Sequence, residues 1–510
     1  MPRYKDYNTK QTVLLPISLE QQILPGIFEH TLDYLVYNKL DLSLFHHKYT
    51  NDEVGRPAYD PALLLKIVLL AYARGVTGSR RIEALCRENV LFMALSADCR
   101  PHFTTIADFV SGSSNQIAKL FHQVLMICDE MGLIGKEMFA IDGCKLPSNA
   151  SKEWSGTHDA LRQKSKKIDK AVRYMLTVHR EEDNKGENDH QIREKQQKQI
   201  ETLLKASDKI DRFLKENEPR IGHGGKEVQS NITDPDSAKM KTSHGVLQGY
   251  VGVAAVDSKH QVVVSAEAFG QGQEHGLLEP MVEQIDKTFE KDKERPLKTG
   301  KVLADSGFCN TKTLEYLEDN QIDGYLADHG FRSRDPRFAD ATRHKPKTTK
   351  KITPKTRFTA ADFQVDQEQQ TCICPAGKSL WLKCARAKIR DNIFMQFMGH
   401  KEDCAPCPLR DKCLRSNKQK GARQVNVLLE HVAVEKNGPL QRMKQKIDSK
   451  LGRHIYSQRL GIVEPVFGHI CEAIGIKRFT LRGKVKVDSQ WKLFTLLHNL
   501  TKVHRFGIAT

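Results

Sequence analysis

Apolar residues recur at helical spacing in the first quarter of the chain. After an extended, partly polar arm over residues 1–60, the leucines and valines of residues 61–73 repeat at the spacing of a helix. The glycines of residues 75–79 predict a turn, and residues 80–95 follow as a second helix. The polar start of residues 102–109 predicts the cap and first turn of a third helix.

Short helices joined by such turns are typical of helix-turn-helix DNA-binding domains. The second helix carries Arg80 and Arg81, which are candidate contacts to DNA phosphates. An ordinary helical bundle without DNA contact is the alternative interpretation.

Residues 155–220 are unusually rich in charged side chains. Apolar positions lie on one face of each of two successive segments, and the polar residues 183–189 separate them. This pattern predicts an antiparallel hairpin of two amphipathic helices. We expect a structural arm or a dimer contact, in which most of the charges form a solvated face.

Short apolar runs alternate with helical patterns in the middle of the chain and predict a mixed α/β sheet. In chain order the predicted elements are a strand in residues 137–150, a β-hairpin of 250–257 and 261–267, a helix over 277–289, a strand at 302–304, a helix over 311–320 and a strand at 324–327.

Three carboxylates stand in settings that suit a metal site. Asp142 follows the apolar run Met138–Ile141 and precedes a glycine, and Asp305 follows Val302–Ala304 and precedes Ser-Gly. A buried strand that ends in this way places a carboxylate at the rim of a sheet, where a ligand can approach the backbone closely. With Glu464, these hard oxygen ligands suit Mg²⁺ or Mn²⁺. By itself, an aspartate after an apolar strand is more often a turn former.

The segment around Glu464 leaves two helical geometries open. Tyr456 and Arg459 are one helical turn apart. Pro465 either kinks a helix that runs through it or begins a new helix at its first position. In the second case Glu464 caps that helix, so the sequence does not predict that Glu464 and Arg459 share a face.

Residues 332–358 hold ten Lys and Arg against two Asp, with three prolines. The composition predicts an exposed segment that contacts phosphates or, as the alternative, a solvated linker.

A cysteine cluster follows and predicts a structural zinc site. A Cys-x-x-Cys unit precedes a third cysteine by six residues. Four thiolates around Zn²⁺ would hold a small, loop-rich subdomain together, because too few apolar residues lie between the outer cysteines to form a core alone. Free thiols, or an ancestral site that no longer binds metal, are the alternatives. The predicted ligands are Cys374, Cys404, Cys407 and Cys413, with Cys372, Cys384 or His400 as substitutes.

The charge balance favours a polyanionic partner. Lys and Arg number 80 against 63 Asp and Glu, which gives a net charge of +17. Such a field attracts nucleic acid, although basic enzymes and ribosomal proteins share it. No apolar run of about 18 residues predicts a membrane helix, and the polar start is no signal peptide. Twelve cysteines in 510 residues are not a dense disulfide scaffold, so we expect a reducing, cytoplasmic setting.

Several different short motifs are distributed along the chain. They are Ala140-Ile-Asp142-Gly-Cys-Lys145, Gly249-Tyr250 with Val256-Asp257, Ala304-Asp305-Ser-Gly-Phe308, Tyr456-x-x-Arg459 with Val463-Glu464-Pro-Val-Phe467-Gly468, Gly55-Arg56-Pro57-Ala-Tyr59-Asp-Pro61, and Trp491 with His498-Asn499-Leu500. Together they resemble the bacterial insertion-sequence transposases of the DDE type over nearly the whole chain.

The resemblance implies a core of the RNase H-like fold, in which the first and fourth strands lie side by side and make Asp142 and Asp305 neighbours. With Glu464 they would hold two Mg²⁺ or Mn²⁺ ions, which clamp the attacking and leaving oxygens of a phosphoryl transfer. The implied partner is double-stranded DNA, both element ends and target, bound by a homodimer. The implied DNA contacts are Tyr456, Arg459, Lys145, Arg80, Arg81 and Lys477.

One position departs from the family pattern. Cys471 stands where related enzymes usually carry a lysine, about two helical turns after the glutamate. Lys477 and Arg478 are nearby substitutes for the missing charge. A nuclease of the same fold without strand transfer, and a catalytically dead DNA-binding derivative, are the alternative functions.

The predicted organisation has four parts. They are a helical N-terminal domain over 1–135, the first part of the core over 136–330 with the inserted hairpin 155–220, a basic and Cys-rich insertion over 331–423, and the rest of the core with Glu464 over 424–510.

Overall fold

The computed structural model describes residues 18–48, 57–185, 190–222, 225–242, 245–289, 295–338, 357–389, 392–414, 421–431 and 438–507. The chain divides into two compact units, one of Met1–His329 with Ser449–Thr510 and the other of Gly330–Asp448. The predicted boundary at residue 423 therefore differs from the division between units, which falls after Asp448.

Helices form the N-terminal part of the first unit. They are α1 (Phe28–Asn38), α2 (Pro61–Ala73), α3 (Ser79–Glu88), α4 (Val90–Leu95), α5 (Phe103–Gly112) and α6 (Ser114–Glu130). The predicted second helix is broken in two, because the Asn89 side chain accepts hydrogen bonds from the Leu91 and Phe92 amides and caps α4. His102 caps α5 as predicted. Of the N-terminal family motif, Gly55 and Arg56 lie outside the described residues.

The middle of the first unit contains the predicted mixed sheet and hairpin. Its elements are β1 (Met138–Pro147), β2 (Ser155–Gly156), α7 (His158–Lys185), α8 (His190–Glu216), β3 (Ser230–Asn231), β4 (Ala238–Thr242), β5 (Gly245–Asp257), β6 (Val263–Phe269), α9 (Leu278–Phe289), β7 (Lys301–Ala304), α10 (Thr311–Asp319) and β8 (Asp323–Leu326).

The main sheet has the strand order of the RNase H-like fold. β5 pairs antiparallel with β6 and with β1, β1 pairs parallel with β7, and β7 pairs parallel with β8. β4 extends the sheet beside the first half of β5. The predicted α/β class and the adjacency of the first and fourth core strands, β1 and β7, are confirmed.

The first strand is longer than predicted. β1 continues five residues past Asp142, because β5 goes on pairing with it from Asp142↔Ala254 to Pro147↔Gly249. On its other side the ladder with β7 stops at Ile141↔Ala304. Asp142 is therefore an internal residue of β1. The predicted end of the strand before Asp142 holds only for its parallel pairing with β7.

The two long helices α7 and α8 form the predicted hairpin. Leu161 near the start of α7 packs with Ile210 and Phe213 near the end of α8, so the helices run antiparallel. Ser165 and Ser207 share a hydrogen bond of 2.9 Å across this contact. The predicted connecting loop lies partly in residues 186–189, outside the described residues.

The C-terminal helices close the first unit. They are α15 (Lys450–Gly468), which is followed by a π-helical turn over His469–Ala473, and α16 (Lys484–Lys502). The Trp491 indole of α16 lies over Gly252 of β5 and donates to the Val253 carbonyl at 2.9 Å. Tyr72 of α2 stacks on Phe494, so the N-terminal helices pack against the same C-terminal helix as the sheet.

The second unit is built on a five-stranded antiparallel sheet. Its elements are α11 (Phe331–Arg334), β9 (Gln364–Asp366), β10 (Thr371–Ile373), β11 (Ser379–Ile389), β12 (Asn392–Met398), α12 (Lys401–Cys404), α13 (Arg410–Cys413), β13 (Gln424–His431) and α14 (Pro439–Asp448). Helix α14 ends at Asp448, because Ser449 caps α15.

The expectation of a loop-rich subdomain without its own core was wrong. Phe363, Leu380, Phe397 and Val425 are buried together and form a hydrophobic cluster in which Cys372 takes part. Two of them, Phe363 and Val425, lie outside the interval between the outer cysteines, so strands from both flanks supply the missing apolar surface. Residues 425–429 belong to this sheet as part of β13.

Within the described ranges, no helix is long and apolar enough to cross a membrane.

Candidate active site

Asp142 and Asp305 lie side by side on neighbouring parallel strands. The last pair of the β1–β7 ladder is Ile141↔Ala304, and each aspartate is the next residue on its strand. Both carboxylates accept a hydrogen bond of 2.8 Å from a following backbone amide, Asp142 from Gly143 and Asp305 from Gly307. The fold thus brings two of the three predicted carboxylates together at one point of the sheet.

Arg459 of α15 reaches this point from a distant part of the sequence. Its Nη1 donates to Asp142 Oδ2 at 2.7 Å, and the residue is only 8 % exposed. Burial raises the pKa of Asp142, and the arginine opposes this rise through its charge and its hydrogen bond. Tyr456 lies one turn earlier on α15, with its ring centroid 6.0 Å from the guanidinium carbon.

A third carboxylate faces the two aspartates, and it is one that the sequence did not single out. A methyl group added at Gly307 would lie 2.1 Å from Glu274 Oε2 and 3.0 Å from Asp305 Oδ1. Glu274 Oε1 in turn lies 3.6 Å from the corresponding position at Gly143. Glu274 therefore spans the space between the two aspartate-bearing turns, and both glycines leave room for it.

Burial and charges of both signs act on Glu274. Burial raises the pKa of this carboxyl to about 7, and the charges of Asp305 and Asp142 act in the same direction. Lys145 of β1 and Arg459 oppose the shift. Lys145, predicted as a DNA contact, thus lies within electrostatic reach of this carboxylate.

Glu464 is not brought into contact with the aspartates. Helix α15 runs through Pro465 to Gly468, so the alternative in which Glu464 caps a new helix is wrong. The Glu464 side chain is exposed and forms no hydrogen bond or ion pair with any described residue. Arg459 and Val463 lie on the buried face of the helix instead.

Cys471 lies beside Cys144 of β1. The two thiols share a hydrogen bond, which raises the pKa of Cys144 together with its burial and lowers the pKa of Cys471. At the position where a lysine is usual, this chain therefore has a thiol pair. Lys477, the suggested substitute, forms an ion pair with Glu472.

The predicted DNA-contact residues of the N-terminal helices are Arg80 and Arg81 on α3. Arg81 pairs with Glu88 at 3.2 Å, with both side chains largely exposed. The Arg80 guanidinium lies 4.6 Å from the centre of the Phe103 ring.

The four predicted zinc ligands of the second unit line one small cavity, together with His400. Cys374 lies in a tight turn, where Gly377 has φ +76 and the Lys378 amide donates to the Cys374 sulfur at 3.4 Å. Of the substitutes, Cys372 is buried in the hydrophobic cluster, and Cys384 lies on β11 and does not line this cavity.

Neither set of side chains stands at metal-ligand spacing. Among the described residues, no three His, Cys, Asp or Glu side chains are close enough together to hold a metal ion. At the carboxylates, Arg459 occupies one oxygen of Asp142 and neutralises part of the charge that a cation would meet. The donor chemistry nevertheless fits in both places, since oxygens suit Mg²⁺ and thiolates suit Zn²⁺.

Two family models match the chain. Residues 373–504 match a transposase DDE domain, and residues 17–112 match a second transposase domain. The first match includes the cysteine cavity and helix α15 with Arg459 and Glu464, and the second includes helices α1 to α5. No curated protein matches the chain significantly.

Proposed function

Starting from a chain that belongs to the insertion-sequence DDE transposases, we propose that Asp142, Asp305 and Glu464 hold divalent metal ions for DNA cleavage at the element ends and for strand transfer. The observation that carries this proposal is the juxtaposition of Asp142 and Asp305 beside Arg459. Two carboxylates from adjacent strands and a buried arginine suit a phosphodiester between metal ions.

Each side chain has a task that follows from its chemistry. When bound, Mg²⁺ or Mn²⁺ ions activate the attacking oxygen and stabilise the leaving one. Asp142 and Asp305 would hold the ions, since backbone hydrogen bonds fix both carboxylates. Arg459 neutralises phosphate charge as the transition state forms, and Tyr456 positions the DNA backbone. No serine or tyrosine nucleophile is needed.

Glu274 adds a carboxylate to this site. Its oxygens lie near the turns that follow both aspartates, whereas Glu464 is exposed on α15. Glu464 would therefore have to move towards the two aspartates in order to hold an ion together with them. Glu274 already faces both aspartates and helps to balance the cations.

The proposed partner is double-stranded DNA, at the element ends and at the target. Arg80 and Arg81 of α3, with Lys145 and Lys477, supply cationic contacts to phosphates. A homodimer would pair the two ends of the element in the active complex.

We propose in addition that Cys374, Cys404, Cys407 and Cys413 bind a structural Zn²⁺, with His400 as the substitute ligand. The support is their common cavity and the amide-to-sulfur hydrogen bond at Cys374. A closed four-ligand site leaves no position for a reacting water, so its contribution is to folding.

The test is metal-dependent cleavage of a DNA duplex that carries the inverted repeats flanking the gene. Asp142→Ala, Asp305→Ala and Glu464→Ala should each abolish cleavage with Mg²⁺, and Glu279→Ala, an exposed change on α9, should not. Full cleavage by all three variants would refute the assignment. If the wild-type protein cuts DNA but does not join a 3′-hydroxyl end to target DNA, it is a nuclease. If it binds the repeats without cutting them, it is a catalytically inactive DNA-binding derivative.

A further inference from the structure

We propose that a lysine-lined groove beside β4 binds the phosphate backbone of double-stranded DNA and leads it to the candidate active site. This inference rests on the proposed function, because the duplex is the substrate proposed for that site. The groove, called here the β4 groove, has a volume of about 1010 Å³ and is lined by β4, residues 220–222 and 226–229, and the loop 270–273.

Hydrogen bonds of Arg220 hold the three walls of the β4 groove together. Its guanidinium donates to the carbonyls of Asp236 and Ser237, just before β4, and to the carbonyl of Gly270. All three acceptors are neutral, so the positive charge of the arginine is not cancelled by a carboxylate among them. Gly272 packs against Met240, where an added methyl group would lie 3.3 Å from that side chain.

The outward face of β4 carries two lysines. Met240 points into the protein and is 3 % exposed, while Lys239 and Lys241 on either side of it are exposed. Alternating side chains point to opposite faces of a strand, so these two ammonium groups stand on one face, about 7 Å apart along the strand. Neither forms an ion pair within the described ranges.

The opposite wall adds a third lysine. Lys226 lines the β4 groove and forms no ion pair with a described residue. The one carboxylate of this wall, Glu227, accepts a hydrogen bond from the His158 amide at 2.6 Å and so serves the start of α7. Cations from two separate segments therefore outnumber the single, engaged carboxylate.

The loop that forms one wall of the β4 groove continues in the chain directly into a residue of the candidate active site. Gln271 and Gln273 line the groove, and the next residue is Glu274, which faces Asp305 across Gly307. A polyanion that follows this loop would therefore approach Glu274. Amide side chains at this end suit phosphate or sugar oxygens.

Charge complementarity selects the occupant. Lysines on an edge strand also prevent pairing with another strand, but that task requires only Lys239 and Lys241. It does not explain Lys226 on the facing wall. A duplex backbone uses all three lysines, and the charge of Arg220 adds to their field.

The experiment measures the salt dependence of binding to a fluorescent, mixed-sequence DNA duplex by the full-length protein. The groove variant is Lys239→Gln with Lys241→Gln. The matched control is Lys298→Gln with Lys312→Gln, which removes the same charge from exposed positions of the same unit. Neither lysine forms an ion pair with a described residue. The slope of log K against log salt is negative, and each lost phosphate contact reduces its magnitude by about 0.9.

We expect the groove variant to reduce the magnitude of this slope by nearly two and the control to leave it unchanged. Equal slopes for the two variants, with the wild-type protein bound and salt-dependent, would overturn the β4 groove and leave the proposed function standing. Absence of duplex binding by the wild-type protein would instead count against the proposed function. Adding Lys226→Gln should reduce the magnitude of the slope further, and an unchanged slope in that triple variant would also contradict the proposal.

Discussion

Arg459 is the residue on which the charge of the candidate site depends most directly. It is nearly buried, and Asp142 is its hydrogen-bonded partner. When an arginine and a carboxylate are removed from water, each charge compensates the other. Removing one partner therefore leaves an uncompensated charge in the protein interior.

We therefore expect Arg459→Gln to lower the free energy of unfolding by about 2 kcal/mol, somewhat less than for a fully buried pair because Asp142 keeps some exposure. Chemical denaturation measures this loss, and cleavage should be lost as well. Lys450→Gln, an exposed change at the start of the same helix, is the control. Equal stability of the two variants would show that the ion pair contributes nothing.

Glu274→Gln removes a charge from the site while keeping the shape of the side chain. We expect Mn²⁺ binding, followed by electron paramagnetic resonance, to weaken about tenfold, which corresponds to one lost charge-assisted contact of roughly 1.4 kcal/mol. Glu279→Gln changes the same residue type on the solvent side of α9 and should bind as the wild type does. If both variants bind Mn²⁺ equally well, Glu274 is not part of the site.

His498 of α16 links stability to pH. Its ring bonds to the Gln261 carbonyl and to His469, and Lys502 and Arg505 add positive charge nearby. Burial lowers the pKa of His498 to about 3. The unfolded chain, with an ordinary histidine pKa of about 6.5, takes up the proton first on acidification.

The free energy of unfolding should therefore be fully retained above about pH 6.5 and fall below it, by up to about 1.4 kcal/mol per pH unit from this group. Urea denaturation between about pH 7.5 and 5 measures the decline. His498→Gln should make it shallower. A decline of the same steepness in the variant would assign it to other groups.

At this scale the sequence predicted part of the site. Asp142 and Asp305 follow apolar strands and precede a glycine or Ser-Gly, and these motifs singled them out as candidate metal ligands. Glu274 follows a glycine-rich loop and precedes a helix, a setting without strand periodicity, so only the folded chain reveals its position. The contact between Arg459 and Asp142 likewise depends on the packing of α15 and not on any local pattern.

At the scale of elements, period and turn chemistry predicted the helical hairpin, the β5–β6 hairpin and the succession of core strands and helices along the chain. The adjacency of the first and fourth core strands came from the family resemblance. Period and turn chemistry did not predict how far β1 extends, because its last residues are ordered by pairing with β5 and not by their own apolar pattern. The sheet of the second unit was missed for a related reason. Its core draws residues from both sides of the cysteines.

Two glycines on neighbouring elements should respond in opposite ways to a methyl group. In Gly252→Ala the new methyl would lie 3.0 Å from the Trp491 indole, so we expect a loss of about 1–3 kcal/mol through overpacking. Gly461→Ala in α15 meets nothing within 4 Å and should stabilise the helix by about 1 kcal/mol. Thermal denaturation distinguishes them, and a destabilised Gly461→Ala would contradict the open space at that position.

At the scale of the whole molecule, the second unit has its own sheet and its own hydrophobic cluster. Zinc would therefore strengthen a structure that already has a core. The predicted basic segment 332–358 lies mostly in residues 339–356, outside the described ranges, and its role as a DNA contact stays a prediction.

Cys407→Ser should release zinc from protein prepared under reducing conditions and weaken DNA binding, while Mn²⁺ binding at the carboxylates survives. Cys384→Ser, on β11 away from the cavity, should keep the metal. Metal content and duplex affinity are the measurements. Wild-type protein with well under one zinc per chain would refute the site.

The position of the second unit in the chain sets the order in which the candidate site is completed during synthesis. Asp142, Glu274 and Asp305 all precede it, whereas Arg459 follows it. At about 5–20 residues per second, a ribosome needs roughly ten seconds to cross Gly330–Asp448. For that interval the nascent chain holds three carboxylates without their arginine. A polypeptide released before α15 would therefore keep the N-terminal helices and lack the charge partner of Asp142.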